Sequence, residues 1–210
     1  MELKTGRLIL REFRSSDFED YLAYILDGHL REMLGLRNVF GRPSALENFN
    51  WLMENRKFIA VCKKEDNRAI GHICMHPPLD AVAGAKLFCN KRGASLSYAL
   101  AAWEQHKGLM QEALTALCEY LRDAGKIDYL DAEYLSSNLP SQRLLEKLGF
   151  QYWGIEKFGE IVLTTVVLSL LPAPFMYPMR GMTGLPWWRF HSLHILIHMP
   201  IRGMTFLHVD

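Results

Sequence analysis

The chain has 210 residues, half of them hydrophobic, and its 24 Lys and Arg nearly balance its 23 Asp and Glu. This composition suits one domain with a substantial core, and the even charge argues against a nucleic-acid surface. The longest apolar stretch, 161–171, is about half of the roughly 20 residues that a helix needs to cross a bilayer. The charged start is unlike a signal peptide, and the four cysteines form no C-x-x-C pair. We therefore expect a soluble, cytoplasmic protein with reduced thiols and no membrane partner.

The first half of the chain predicts a strand, two helices and a hairpin. RLILREF (7–13) favours a strand, and the cap residues Ser-Ser-Asp open a helix over 15–26. A second helix is predicted over 42–57, with Ser44 as its cap. FIAVCKK and AIGHICM flank the polar turn EDNR, which predicts a hairpin over 58–75.

The second half predicts strands that alternate with two helices. Residues 77–95 are irregular, and Gly125 stands where a helix should stop. The predicted elements are a strand over 95–101, a helix over 108–123, a strand over 127–135, a short helix leading into a strand over 139–150, and a strand over 162–170. The whole order predicts an α+β fold with a mainly antiparallel central sheet of about six or seven strands and about four helices.

Residues 172–210 differ in composition from the rest of the chain and hold five of the nine prolines and four of the eight histidines. We divide the chain into a domain of residues 1–171 and a C-terminal extension whose structure the pattern does not predict. Trp187, Trp188 and Phe190 suggest a packing surface or a homodimer contact there. Histidines 191, 194 and 198 would share one helical face, which is more often an amphipathic stripe than a metal site.

The stretch EQHKGLMQEAL (104–114) is a candidate anion site. A glycine at a helix start lets backbone N–H groups approach a ligand, and the helix end carries about half a positive charge. Lys107 adds a charge beside Gly108. The alternative is a turn that happens to contain a glycine, and this stretch alone does not exclude it.

A wider pattern surrounds this stretch. SYALAAWEQHKGLMQEAL (97–114) resembles the coenzyme segment of the GNAT acyltransferase superfamily, and most of all its ribosomal-protein N-terminal acetyltransferase branch (RimJ/RimL-like). That branch usually reads G-Y-W-L, a few residues, then W-G-K-G-Y-A-T-E-A-L. AEYLSSNLPSQRLLEKLGF (132–150) is similar to a second family signature, and the start is similar to the branch's E-T-x-R-L-I-L-R opening. The resemblance covers about residues 1–170.

The resemblance implies a fold and a donor. It implies a split between two parallel strands, here 95–101 and 128–135, that holds acetyl-CoA as the acetyl-donor cosubstrate. The pantetheine arm would bind the strand backbone, and the pyrophosphate would bind the amides of the loop. The implied cofactor-binding residues are Tyr98, Ala99, Leu100, Gln105, His106, Lys107, Gly108, Leu109, Met110, Asn138 and Ser141. His106 stands where the branch usually has Gly, and Met110 where it has Gly or Ala, so both should crowd the loop.

Three side chains are candidates for catalysis. Glu133 lies five residues before Asn138, where several relatives carry a working Glu, although a surface carboxylate is the common alternative. Ser141 is a candidate donor to the leaving thiolate, and helix capping is the alternative for it and for Asn138. Relatives often carry a Tyr acid where this chain has Leu145. Glu160 is a second carboxylate candidate.

The resemblance implies transfer of an acetyl group to a primary amine, on a protein N-terminus or on a small molecule. The near-neutral charge does not favour a strongly basic ribosomal partner or a polyamine. A non-catalytic acyl-CoA-binding module is the alternative, since Tyr is missing and the loop is crowded. No metal is expected, because His72, Cys74 and His76 have no evident fourth ligand and favour packing on one strand face.

Overall fold

The computed structural model describes residues 1–36, 38–55 and 57–171, and the predictions for the extension, 172–210, lie outside the described residues. The strands are β1 (Glu2–Lys4), β2 (Leu8–Glu12), β3 (Phe58–Lys63), β4 (Ala69–His76), β5 (Gly93–Leu100), β6 (Tyr129–Leu135), β7 (Gln151–Phe158) and β8 (Ile161–Ser169). The α-helices are α1 (Phe18–Ile25), α2 (Gly28–Met33), α3 (Arg42–Glu54), α4 (Asp80–Ala83), α5 (Leu109–Ala124) and α6 (Leu139–Lys147).

The strands form one sheet in the order β1-β2-β3-β4-β5-β6-β8-β7. Every neighbouring pair is antiparallel except β5 and β6, which are parallel. The predicted α+β class is therefore confirmed, but the described residues form eight strands and six α-helices, more than predicted. The additions, β1, α2 and α4, have three to six residues each, too few to show a helical or strand period in the sequence.

The two faces of the sheet are covered by different helices. Alternate residues of a strand point to opposite faces, so Ile59 and Val61 pack with α5, whereas Ala60 and Cys62 pack with α1 and α3. The α5 face and the α1–α3 face each have a hydrophobic core of their own. The sheet is therefore the middle of three layers, and the site lies where this middle layer opens.

Helix α5 is the longest described helix and was predicted almost to the residue. Its stripe of apolar side chains is buried against the sheet, and each buried leucine or methionine of the stripe contributes about 1.5–3 kcal/mol of burial free energy. Gly108 precedes it with φ 73° and Gly125 ends it with φ 59°. Both values are in the left-handed region, where glycine has no Cβ penalty. Among the described residues, none of the helices combines the length and hydrophobicity that crossing a bilayer requires.

Candidate active site

The sheet opens between β5 and β6. These strands pair in parallel only from Gly93 opposite Tyr129 to Leu96 opposite Ala132. Beyond that point β5 continues against β4 alone, and β6 continues against β8 alone. The last four residues of β5, about 13 Å of strand, therefore have one unpaired side. This is the split that the family resemblance predicted.

The open side of β5 offers backbone groups from alternate residues. The N–H of Ala101 donates to the carbonyl of Ile70 at 2.8 Å, toward β4. Because backbone groups alternate sides along a strand, those of Ala99 also face β4, and those of Tyr98 and Leu100 face the split. Of the three strand residues predicted to bind the donor by backbone, Ala99 therefore does not fit, and Tyr98 and Leu100 do.

The loop after β5 leads into α5 through two left-handed residues, His106 with φ 61° and Gly108 with φ 73°. The glycine that relatives carry at position 106 would adopt this conformation without strain. Within the described residues, the N–H groups of His106, Lys107 and Gly108 donate to no protein acceptor. The first helical N–H groups add to them, since a helix has no internal acceptors there. The loop thus presents a cluster of free donors suited to an anion.

The side chains of this loop are placed differently from the prediction. Leu109 and Met110 are buried in the α5 core, each 6% exposed, so Met110 does not crowd the loop, and both offer only their amides. The Lys107 ammonium lies 2.9 Å from one carboxylate oxygen of Glu104, and the other oxygen of Glu104 lies 3.8 Å from the Lys63 ammonium. Lys107 is therefore a paired charge rather than the free one that the sequence suggested.

Gln105 closes the end of the split. Its side-chain amide donates to the carbonyl of Leu100 at 3.1 Å, one of the groups on the open side of β5. Glu104, the residue before it, is buried and forms ion pairs with Lys63 and Lys107. It therefore has a structural role in this loop.

A hydroxyl pair lies on the α5 face of the split. The Tyr98 hydroxyl and the Ser141 hydroxyl are 2.7 Å apart. Burial raises the pKa of Tyr98 to about 12, although the hydrogen bond to Ser141 lowers it in part. Tyr98 is thus protonated at neutral pH. Leu145, which replaces the family's Tyr, is buried in the core, so Tyr98 supplies a phenol near the split from a different element.

Asn138 caps the helix that carries this hydroxyl. Its side-chain oxygen accepts from the N–H of Ser141 at 3.2 Å, so the capping alternative holds for Asn138. Its amide nitrogen lies 3.9 Å from the sulfur of Met33 in α2. Asn138 therefore connects the start of α6 with an element of the opposite layer, across the mouth of the split.

Glu133 lies on the other face of the split. It is half-buried, and its carboxylate accepts from the Thr165 hydroxyl at 3.3 Å. Burial, followed by the charges of Glu156 and Asp131, raises the pKa of Glu133 to about 7, against the opposing effect of Thr165. It is therefore not the ordinary surface carboxylate of the alternative interpretation. A group that changes charge near neutral pH suits proton transfer.

The second carboxylate near Glu133 is Glu156, not Glu160. A bulge between Tyr152 and Gly154 shifts the register of β7, which places Glu156 on the face that carries Glu133. Glu160 is exposed in the turn between β7 and β8, five positions along β8 from the partner of Glu133. That is about 16 Å along the strand, so the structure does not bring the two predicted carboxylates together.

Three more polar residues on this face were not predicted as site residues. Asp131 is fully buried, accepts from the N–H of Leu79 at 3.1 Å, and has its pKa raised to about 6 by burial. The His76 ring lies 3.0 Å from the Ser97 hydroxyl, beside the split. Only the alternation of strand residues could have signalled them. His72, by contrast, is core: its ring contacts the buried Tyr24 hydroxyl at 3.0 Å.

The residues present fit a coenzyme of the predicted kind. The hydroxyl pair, the open amides of β5 and the free donors of the loop suit, in that order, a thioester, an amide-containing arm and a pyrophosphate. In the described part of the chain, no cluster of three or more His, Cys, Asp or Glu could hold a metal ion.

Comparison with known proteins finds a family match and similar sequences. The chain matches the family described as "Acetyltransferase (GNAT) domain" over residues 7–151. It is 25% identical over 158 residues to the uncharacterized N-acetyltransferase YoaA of Bacillus subtilis (strain 168), an alignment that covers 73% of this chain and 84% of that protein.

Solved structures agree with the fold. A GNAT-family acetyltransferase from Bacillus anthracis has a TM-score of 0.69 at 22% identity, covering 81% of this chain and 99% of its own. The structure of RimL, a ribosomal L7/L12 alpha-N-protein acetyltransferase in complex with coenzyme A, has a TM-score of 0.64 at 17% identity, covering 80% and 98%. Because the family match spans most of the chain and includes the split and the loop, the protein belongs to the GNAT family and is an acetyltransferase.

Proposed function

We propose that the protein is an acetyl-CoA-dependent N-acetyltransferase that transfers the acetyl group directly to a primary amine in a ternary complex. The observation that carries this proposal is the β5–β6 split, with a carboxylate of raised pKa on one face and a hydroxyl pair on the other. The carboxylate of Glu133 can thus accept a proton from the amine, and the hydroxyl pair on the other face can donate one to the thiolate. The proposal includes a cytoplasmic location, which agrees with four cysteines that are all free thiols.

The donor would bind along β5 and the loop. Tyr98 and Leu100 would hold the pantetheine arm through backbone groups on the open side of the strand. The amides of residues 106–110 and the start of α5 would hold the pyrophosphate. Asn138 and Ser141 would contact the arm from the start of α6. Coenzyme binding then needs no side-chain charge from Lys107, which Glu104 already pairs.

Glu133 is the proposed general base. An amine attacks a thioester only in its neutral form, so Glu133 would take the proton of the ammonium, directly or through a water. The new C–N bond replaces the C–S bond of the thioester. Ser141 would donate its proton to the leaving sulfur and recover one from Tyr98, whose hydroxyl is 2.7 Å away. The N–H groups on the open side of β5 would polarise the carbonyl.

The acceptor would approach from the α1–α3 face, where Glu133 lies. Glu156 and Glu133 make this entrance negative, and their charges attract the ammonium form of an amine before it loses its proton. Both kinds of acceptor, a small molecule and a protein N-terminus, would present a primary amine. RimL, whose name describes an alpha-N-protein acetyltransferase, has the second kind of acceptor.

The test is thiol release from acetyl-CoA in the presence of an amine panel that holds small primary amines and short peptides with free N-termini. We expect release above background with at least one acceptor, and mass spectrometry should find the acetyl group on the amine. The acceptor class, small amine or peptide, is identified by which members of the panel support thiol release. Binding of acetyl-CoA with background release for every acceptor would favour a non-catalytic acyl-CoA-binding module.

A further inference from the structure

The segment between β1 and β2 is bound to the first turn of α5. The backbone N–H of Arg7 donates to one carboxylate oxygen of Glu112 at 2.8 Å, and its Nε donates to the other at 2.7 Å. The Thr5 hydroxyl donates to the first oxygen at 2.5 Å. These contacts join positions more than a hundred residues apart. Both oxygens of the Glu112 carboxylate accept hydrogen bonds from this segment.

Arg7 also contacts the anion loop itself. Its Nη1 donates to the carbonyl oxygen of Lys107 at 3.0 Å. That carbonyl and the N–H of Gly108 belong to the same trans peptide, in which the two groups point in opposite directions. Fixing the Lys107 carbonyl on Arg7 therefore directs the Gly108 N–H away from Arg7, where it has no protein acceptor among the described residues.

This peptide needs such a restraint. Gly108 has φ 73°, and a glycine beside a peptide bond allows that peptide to rotate at little steric cost. His106, two residues before Gly108, is also left-handed, and among the described residues the N–H groups of 106–108 donate to no backbone carbonyl that would hold the loop. Arg7 is the described side chain that fixes the orientation of the Lys107–Gly108 peptide.

Arg7 has a second effect through charge. Glu112 stands in the first turn of α5, beside the loop that would hold a doubly charged pyrophosphate. Burial raises the pKa of Glu112, but hydrogen bonds from Thr5 and Arg7 outweigh it and hold the pKa below its usual value. Glu112 is thus ionised, and without Arg7 its charge would repel the anion.

We propose that Arg7 is a positioning residue for the donor's pyrophosphate: it orients the Gly108 amide toward the anion and offsets the charge of Glu112. This inference rests on the proposed function, since it needs the pyrophosphate at this loop. A simple surface ion pair is the competing explanation. Such a pair, with the Arg7 side chain 54% exposed, would contribute little to stability and nothing specific to the ligand.

The experiment compares two ligands by isothermal titration calorimetry. Coenzyme A carries the pyrophosphate, and S-acetylpantetheine has the same arm without it. For Arg7→Ala we expect the Kd of coenzyme A to rise about tenfold, which corresponds to about 1.4 kcal/mol, while the Kd of S-acetylpantetheine stays unchanged. Equal weakening of both ligands, or of neither, would overturn the proposal.

Two further variants separate the explanations. Arg7→Lys keeps the charge but cannot contact the carboxylate and the Lys107 carbonyl together, so it should also weaken coenzyme A selectively. Full retention of affinity by Arg7→Lys contradicts the peptide-orienting role. Arg68→Ala is the matched control, because Arg68 makes a similar 2.9 Å pair with Asp20, which also accepts a backbone N–H.

We expect Arg68→Ala to leave both affinities unchanged, and a loss equal to that of Arg7→Ala would show general loosening instead. The wild-type titration separates this inference from the proposed function. If the wild-type protein does not bind coenzyme A at all, the proposed function fails. If it binds and Arg7→Ala binds equally well, only the role of Arg7 fails.

Discussion

Glu133 shows how one side chain acquires its chemistry from its neighbours. On an isolated strand it would be an ordinary carboxylate, but burial at the split and two nearby carboxylates favour its protonated form. The pKa of about 7 means that it is ionised in part at neutral pH. A base with such a pKa can accept a proton from an ammonium group and release it to water again.

The pH profile should report this group. Because only the ionised carboxylate accepts a proton, kcat/KM of the wild-type protein should rise with pH and level off above an apparent pKa of about 7. Glu133→Gln keeps the size of the side chain but removes the group that accepts the proton. We therefore expect about a hundredfold loss of kcat and no rise of kcat/KM with pH near 7, the limb of the profile that Glu133 produces. Coenzyme A affinity should not change.

Glu160→Gln is the control for this prediction. It removes the carboxylate that the sequence offered but that the structure places in an exposed turn. The wild-type profile should persist in this variant. Loss of the limb in Glu160→Gln and its retention in Glu133→Gln would exchange the roles of the two residues.

His106 is the strained residue of the loop. A side chain at φ 61° costs about 1–2 kcal/mol, which a glycine avoids at the expense of about 0.5–1 kcal/mol of chain entropy. His106→Gly should therefore raise the free energy of unfolding by up to about 1.5 kcal/mol, as measured by urea denaturation. His106→Ala keeps the Cβ and the strain, and an equal gain in that variant would contradict the account.

At the scale of elements, the split depends on how closely β5 and β6 approach before they part. Gly93 opposes Tyr129 in the first pair of the parallel ladder, and a Cβ at Gly93 would overlap the Tyr129 ring. The ring of Tyr129 in turn stacks on Phe88 with 4.3 Å between ring centroids. Gly93 therefore lets the strands pair at one end, and their described ladder stops at Leu96 opposite Ala132.

Gly93→Ala should destabilise the fold by about 1–3 kcal/mol, because the added methyl group must displace a buried ring. Urea denaturation measures this as a lower midpoint. Gly154→Ala in β7 is the matched control, since a Cβ there meets no atom within 4 Å. A midpoint in Gly93→Ala no lower than in Gly154→Ala is incompatible with the close approach that we describe.

Sequence patterns predicted the helices that are several turns long and the segments that carry a recognisable motif. The stripe of α5, the stop at Gly125 and the two family signatures around Gly108 and Asn138 all lie within short windows of sequence. Three elements escaped because they are too short to show a period. The strand β1, for example, is the three-residue Glu-Leu-Lys.

Site residues that lie within one sequence motif could be predicted, whereas those brought together by tertiary contacts could not. Gly108 and Ser141 are read from motifs, whereas the pairing of Arg7 with Glu112 joins two distant segments that no local pattern connects. The choice between Glu156 and Glu160 depends on a bulge in β7, which reverses the faces of every later residue in that strand. Such a shift depends on how β7 packs against β8, which no local sequence signal revealed here.

At the scale of the whole molecule, the proposed function places the two substrates on opposite faces of the sheet. The donor would lie along the α5 face, where Tyr98 and Ser141 meet, and the acceptor would enter from the face that carries Glu133. Each face has its own hydrophobic core and its own helices, so acceptor recognition can vary on one face without changes on the other. In the proposed function, donor and acceptor would meet at the split, where the β5–β6 ladder ends.

Amide hydrogen exchange with and without saturating acetyl-CoA locates the donor on the protein. We expect protection of the amides of Tyr98 and Leu100 and of residues 106–111, with β1 to β3 unaffected outside the Arg7 contact. No protection at saturating acetyl-CoA, or protection that excludes the split and the loop, would mean that the donor does not bind as we propose.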